Sequence, residues 1–366
     1  MRINYIDGLR GFFALLVVYI HYSAFFYATL PEGFYTSCEM VCGFFILSGF
    51  VLSYKFWQNR EIKFLTSAAI RRYIRLTPVP LISILFAYFL LKFNLIFLHE
   101  VCNITNNLPF METYYNFPAN LISALKESFF GMYFSFNPTQ SYNPVLWTMS
   151  WELKGSFLSF AFLALFGKIK NRLPIYIIFI LLTFKTLYLT FLVGIMLADM
   201  IFSEEGKKYH KILQEKKFLS WILLFAGIFL SNYALNFSQI YDAMNLKFFA
   251  ENKIHTEEFF HMLSAIMIIY AVIQLEIFHK IFEWKFFVLA GKYSYSLYAI
   301  HAQILISIGG IFFLKLYDLE IGINFCILIA TIAAILATIP ATYFLHNYVD
   351  MPAGKLAKKF EKFFEL

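Results

Sequence analysis

Asp7, Arg10 and His21 are ionisable residues in an otherwise apolar opening stretch. Arg10 and His21 are eleven positions apart, about three helical turns, so on a helix they share a face to within roughly 20°. Asp7 stands three residues before Arg10 and joins that face. The stripe leads from a charged mouth to an imidazole roughly 18 Å along the axis. Imidazole suits removal of a hydroxyl proton near neutral pH, although a single intramembrane histidine can equally serve as an interhelical hydrogen-bond partner. Glu152, in Trp147-Thr148-Met149-Ser150-Trp151-Glu152, supplies a carboxylate that could orient such a base, as the acid of a triad does. It could equally be a structural partner of Lys154 or Arg10. His301 is a second candidate imidazole or a structural donor. Ser48 and Ser150 add candidate reactive hydroxyls, while Ser48-Gly49 also reads as a close-packing pair between helices.

A second constellation is Arg71-Arg72-Tyr73-Ile74-Arg75. Arg72 and Arg75 are three apart and can point the same way on a helix. Guanidinium forks bind phosphates bidentately. A basic anchor at the cytoplasmic membrane surface would also look like this. With Arg10 opening on the same side, a phosphate-bearing ligand could be held below while its reactive end reaches the histidine above.

The elements that must position these groups are membrane helices. The chain has 366 residues, 60% hydrophobic and 14% charged, against about 25% charged in soluble domains. That excludes a water-soluble enzyme, and long unbroken apolar runs exclude a β-barrel. The net charge of +7 lies mostly in loops, where it orients the protein and does not mark a nucleic-acid partner. Cys38, Cys42, Cys102 and Cys326 have neither CxxC spacing nor His partners, so no metal site or disulfide framework is expected.

At about 20 residues per crossing, the expectation is an all-α polytopic protein with about ten transmembrane helices. The expected spans are 9–30, 38–55, 77–98, 144–167, 173–184, 186–203, 218–235, 259–278, 287–309 and 322–346. The first is read as a retained helix, too long for a signal peptide. Alternating these spans puts most of the 30 basic residues on one side, which predicts both termini in the cytoplasm. Fusing 173–203 into one helix would destroy that asymmetry. Counted from the outer ends, His21, Ser48 and Glu152 lie at roughly 12–15 Å, and His301 at a comparable level, so a shared buried site is expected. The loop 99–143 reads as an amphipathic lid along the interface. Residues 1–366 form one membrane-embedded domain without internal repeats. A proton-coupled transporter would also use buried His, Glu and Arg, but the repeats common in transporters are missing.

These motifs together resemble the acyltransferase-3 family of integral-membrane O-acyltransferases over nearly the whole length. Asp7-Gly8-Leu9-Arg10-Gly11 followed by His21 is similar to its opening motif, Gly43 to Phe50 to its second-helix signature, and Arg72-x-x-Arg75 to its paired arginines. Leu146 to Glu152, including Trp147, resembles its Trp-Ser/Thr-x-x-x-Glu segment. Phe191 to Gly194 and Gly291 to His301 resemble later landmarks. Tyr348-Val349-Asp350-Met351-Pro352 is similar to a terminal Glu-x-Pro element, with Asp350 where Glu is usual and Met351 where Arg is common. The resemblance implies transfer of an acyl group, most often acetyl, from acetyl-CoA to a hydroxyl of a surface or lipid-linked glycan such as lipopolysaccharide O-antigen or exopolysaccharide. A small hydrophobic molecule or lipid is the alternative acceptor. It further implies a bacterial inner-membrane setting. Many members add an extracytoplasmic Ser-Gly-Asn-His hydrolase-like domain; none is visible here, so transfer is expected to be completed within the membrane domain. The acceptor hydroxyl, acyl length and oligomeric state are not legible in the sequence.

Overall fold

The computed structural model describes residues 3–26, 37–106, 113–231 and 253–364. Every regular element among them is helical, the outcome expected where lipid leaves backbone polar groups no partner but their own segment. The ends 27–30 and 232–235 of two expected spans, and residues 107–112 of the expected lid, lie outside the described residues.

The chain opens with α1 (Asn4–Phe26) and α2 (Ser37–Asn59). Next come α3 (Ile62–Leu76), α4 (Pro78–Lys92), α5 (Leu98–Thr105) and α6 (Leu121–Lys126), the last running through a π turn, Glu127–Gly131, to Phe134. They are followed by α7 (Thr148–Phe166), α8 (Leu173–Thr183), α9 (Tyr188–Phe202), the amphipathic α10 (Glu204–Gln214) and α11 (Lys217–Ser231). After the gap come α12 (Lys253–Gln274), α13 (Glu276–Phe282), α14 (Lys285–Ile304), a π turn at Leu305–Gly309, and α15 (Gly310–Asp318). Last are α16 (Ile323–Leu345), a third π turn at His346–Asp350, and α17 (Met351–Lys362).

A helix therefore lies at each of the ten expected spans, and the 173–203 run is two helices. Length and apolarity admit fewer crossings. Five stretches qualify alone: Asn4–Phe26, Cys38–Asn59, Ile62–Lys92, Lys285–Asp318 and Ile323–Lys362. The pair α12 and α13, bent by 95°, makes a sixth if it is one span. Helices α8, α9 and α11 are apolar but have only 11, 15 and 15 residues.

Helices in lipid gain little from apolar contact alone, so close backbone approach at small residues carries much of the packing. Helix α1 packs along α14, where a side chain at Gly11 would strike the Phe287 carbonyl and one at Gly291 the carbonyl of Asp7. Helix α2 packs along α9 in the same way, with Gly49 against the Phe191 carbonyl and Gly194 against that of Ile46. Gly194→Ala should accordingly cost about 1–3 kcal/mol as the two helices are wedged apart. Thermal unfolding in detergent checks this. Gly322→Ala, where nothing stands within 4 Å of the added carbon, is the silent control.

Where α8 starts and α9 ends, a cluster of polar groups is buried. The guanidinium of Arg172 donates to both carboxylate oxygens of Asp199 at 2.7 and 2.8 Å, and to Ser203 at 3.1 Å. It lies 4.7 Å from the centre of the Trp57 ring. Tyr176 donates to the same carboxylate at 2.9 Å. This fork ties α2, α8, α9 and the start of α10 together.

The segment expected to lie along the interface does something else. Tyr142 meets Asn120, Ser123 and the ring of Tyr88. At the other end of α6 and its π turn, Tyr73 donates to the Phe129 carbonyl at 2.6 Å, and Tyr133 meets Thr77. The stretch 121–134 thus runs beside α4, from the level of Tyr88 to that of Tyr73, leaving Ile122, Phe129 and Phe134 outward. The chain then returns until Asn143 donates to Ser83 and to the Ala299 carbonyl. Glu127 closes the loop by accepting from Ser141 at 2.5 Å and from the Tyr142 amide at 3.0 Å.

Candidate functional site

Helix α3 carries Arg71, Arg72 and Arg75 on its final turns, and α17 runs alongside it. Arg71 and Ser67 are tied to Glu361, at 3.2 and 2.5 Å. Arg75 pairs with Asp350, which also stands 3.0 Å from His346. Arg72 pairs with Glu152 of α7, and its Nε donates to Ser156 at 2.7 Å. Ser48 of α2 donates to the same Glu152 oxygen at 2.7 Å. An uncompensated charge at this depth is expensive, and Arg72 and Arg75 are each matched by a carboxylate.

Arg72, Arg75, Glu152 and Ser48 line a cavity of roughly 230 Å³. Arg10 is on its wall too, together with Thr148, Tyr295 and Tyr298. Tyr295 marks the arginine end: its hydroxyl donates to the Leu76 carbonyl at 2.5 Å. Tyr298, one turn on along α14, donates to the Val145 carbonyl and accepts from Thr148.

One turn beyond Tyr298 is His301, fully buried. Its Nδ1 faces the carbonyls of Tyr298 and Leu297 at 2.8 and 3.1 Å. Carbonyls only accept, so that nitrogen carries the proton and Nε2 holds the lone pair. Nε2 stands 2.7 Å from Nδ1 of His21, with the two rings parallel to within 4°. His21 must therefore donate through Nδ1, which leaves its own Nε2 as a free lone pair. The arrangement is a relay from carbonyl to imidazole to imidazole, and it fixes one nitrogen as a base.

Of the groups expected at one level, the structure brings His21 and His301 into direct contact and separately joins Glu152 and Ser48. Glu152 is bonded to the arginine layer and not to the imidazole; the group that orients His21 is His301. The cause is the start of α7. Its first turn follows buried Asn143 and meets Tyr298 through Thr148, so a count that takes the start of this helix as an outer end misplaces Glu152. Ser150 donates to the Tyr133 carbonyl at 2.8 Å and holds the stretch 121–134. Trp147 closes the short 3-10 turn before α7 and packs on the core. Asp7 lies on α1 where that helix meets Gly291. Tyr298, Ser156 and Asp350 were not anticipated as site residues. The signal for Asp350 was present, since a partly buried Arg75 calls for a carboxylate partner.

The site thus offers an imidazole in a fixed tautomer, a guanidinium-lined cavity, and Tyr298 between them. No curated protein and no solved structure gives a significant match to the chain. The family model described as an acyltransferase domain, of the acyltransferase-3 type, matches residues 3–343. The chain belongs to the acyltransferase-3 family, a membrane acyltransferase of all-α, polytopic architecture.

Proposed function

We propose that the protein is an O-acyltransferase that moves an acetyl group from cytoplasmic acetyl-CoA to a hydroxyl of a cell-surface or lipid-linked glycan, across a bacterial inner membrane with both chain termini inside. The carrying observation is the contact of 2.7 Å between His21 and His301, one turn from a cavity lined by three arginines. The cavity suits the donor by charge and by size. At roughly 230 Å³ it is smaller than the 300–1,000 Å³ or so of whole-ligand pockets. It fits the acyl-bearing arm, with the phosphates left at the Arg75 end.

In this reading the Nε2 of His21 takes the proton of the acceptor hydroxyl as its oxygen attacks the thioester carbonyl. His301 accepts the Nδ1 proton's hydrogen bond throughout and stabilises the imidazolium that forms. As the C–O bond closes and the C–S bond breaks, His21 returns the proton to the departing sulfur. Arg72 and Arg75 hold phosphate. Glu152 and Asp350 keep those guanidinium groups in place until the donor arrives.

The test is transfer of labelled acetyl from acetyl-CoA to envelope glycans by the purified protein in proteoliposomes, read beside mass spectrometry of glycans from a deletion strain. Loss of glycan acetyl groups in that strain supports the acceptor class, and an unchanged acetyl pattern excludes it. Arg75 is 37% exposed but its partner Asp350 only 5%, so the test variant is one whose amide can still donate to that carboxylate. Arg75→Gln should raise KM for acetyl-CoA by about 10- to 100-fold, the size of one charge-assisted hydrogen bond of about 1.5–3 kcal/mol. An unchanged KM removes the phosphate role.

A further inference from the structure

A second, larger cavity, roughly 1250 Å³, lies on the other side of the histidine pair between α1, α14 and α16. Its lining runs along α16 from Asn324 to Tyr343, a rise of roughly 29 Å, close to the thickness of about 30 Å of a bilayer's hydrocarbon core. The walls are mostly apolar, from Phe26 at one end to Phe286 at the other. The groove touches the site on two helices. Leu297 lines it and also offers the carbonyl that accepts from His301. Tyr22, the neighbour of His21, lines it and meets Thr338 of α16 at 2.7 Å. Thr342, also on the wall and only 6% exposed, has a hydroxyl with no hydrogen-bond partner.

A sugar or peptide would leave its polar groups unsatisfied along such a wall. A hydrocarbon chain standing upright would not, and it would match the groove in length. We propose that this groove holds the hydrocarbon chain of a lipid-borne acceptor, so that a hydroxyl in its head region is presented to His21 from the membrane side. This rests on the acyl-transfer reading and adds the acceptor class: a hydroxylated headgroup on a long single chain.

The experiment uses the full chain in phosphatidylcholine nanodiscs with a hexadecyl glucoside bearing a diazirine on its alkyl chain. Photolabelling should concentrate on groove residues of α1 and α16, and should be displaced by plain hexadecyl glucoside but not by methyl glucoside. Ile335 lines the groove and is 44% exposed, so Ile335→Trp fills the space without entering the core. It should lower groove labelling by at least about tenfold, as an overpacked site would, while leaving the KM for acetyl-CoA unchanged. His21→Ala should label like the parent. Labelling spread equally over the lipid-facing sides of α8 and α11, or groove labelling untouched by Ile335→Trp, would overturn the proposal. Groove labelling kept intact in a protein that transfers no acetyl group to any acceptor would instead sink the acyl-transfer reading and leave the groove standing.

Discussion

His21→Ala is expected to lower acyl transfer by about 10²–10⁴-fold, the usual contribution of a positioned general base, while the protein still folds. The expectation follows from the tautomer. His301 is fixed by two backbone carbonyls, so it can only accept from His21, and the basic nitrogen belongs to His21. Removing His21 takes away that base, whereas His301→Ala leaves it and frees its orientation. The second variant should therefore retain activity between that of the parent and that of His21→Ala. His21 is partly buried and its side chain bonds one neighbour, His301, so size-exclusion profile and thermal unfolding should change little. Transfer rates on purified, monodisperse protein decide the matter. A well-folded His21→Ala protein with the parent's rate would end the assignment.

Arg172→Ala should destabilise the protein by about 3–5 kcal/mol, the range found when one member of a buried ion pair is removed. The side chains of Arg172 and Asp199 are 3% and 6% exposed. Without the guanidinium, the Asp199 carboxylate keeps only its bond from Tyr176, and the Trp57 ring loses the cation beside it. The cost arises from the charge left behind. Replacing both partners with apolar residues, Arg172→Met together with Asp199→Leu, should recover most of the loss. Thermal unfolding in detergent of the two variants tests this, and equal destabilisation by the single and double changes would refute it. Because the pair stands apart from the cavity of Arg10, Arg72 and Arg75, the folded fraction of either variant should keep its KM for acetyl-CoA.

Much of this was legible in the residues. The apolar runs give the all-helical membrane class, because a bilayer admits few other folds. The break between Thr183 and Tyr188 was legible from charge asymmetry. The chemistry-bearing side chains stood out for the same reason: His21, Arg72 and Glu152 are costly in lipid and need a purpose. Their partners did not. Spacing along a helix gives the face of a residue, not its neighbour across the bundle, so the His21–His301 contact, spanning 280 positions, could not be read from periodicity. Glu152 was assigned to the imidazole because depth was counted from a surface end of its span. The descent of 121–134 beside α4, and the buried start of α7 after it, shift that count. The number of crossings is bounded less tightly than the number of apolar runs, since an 11-residue helix such as α8 rises only about 16 Å.

The π turn at His346–Asp350 sets the phase of the end of the chain. Such a turn carries one residue more than the α-helical pitch requires, and each residue is worth about 100° of rotation. Winding these residues as a regular helix at unchanged length would swing every later side chain around the axis by about that angle. Asp350 would turn off Arg75, and Glu361 off Arg71 and Ser67. A shift in register of one position, with no change in composition, would thus unlatch Arg75 and Arg71 from their carboxylates.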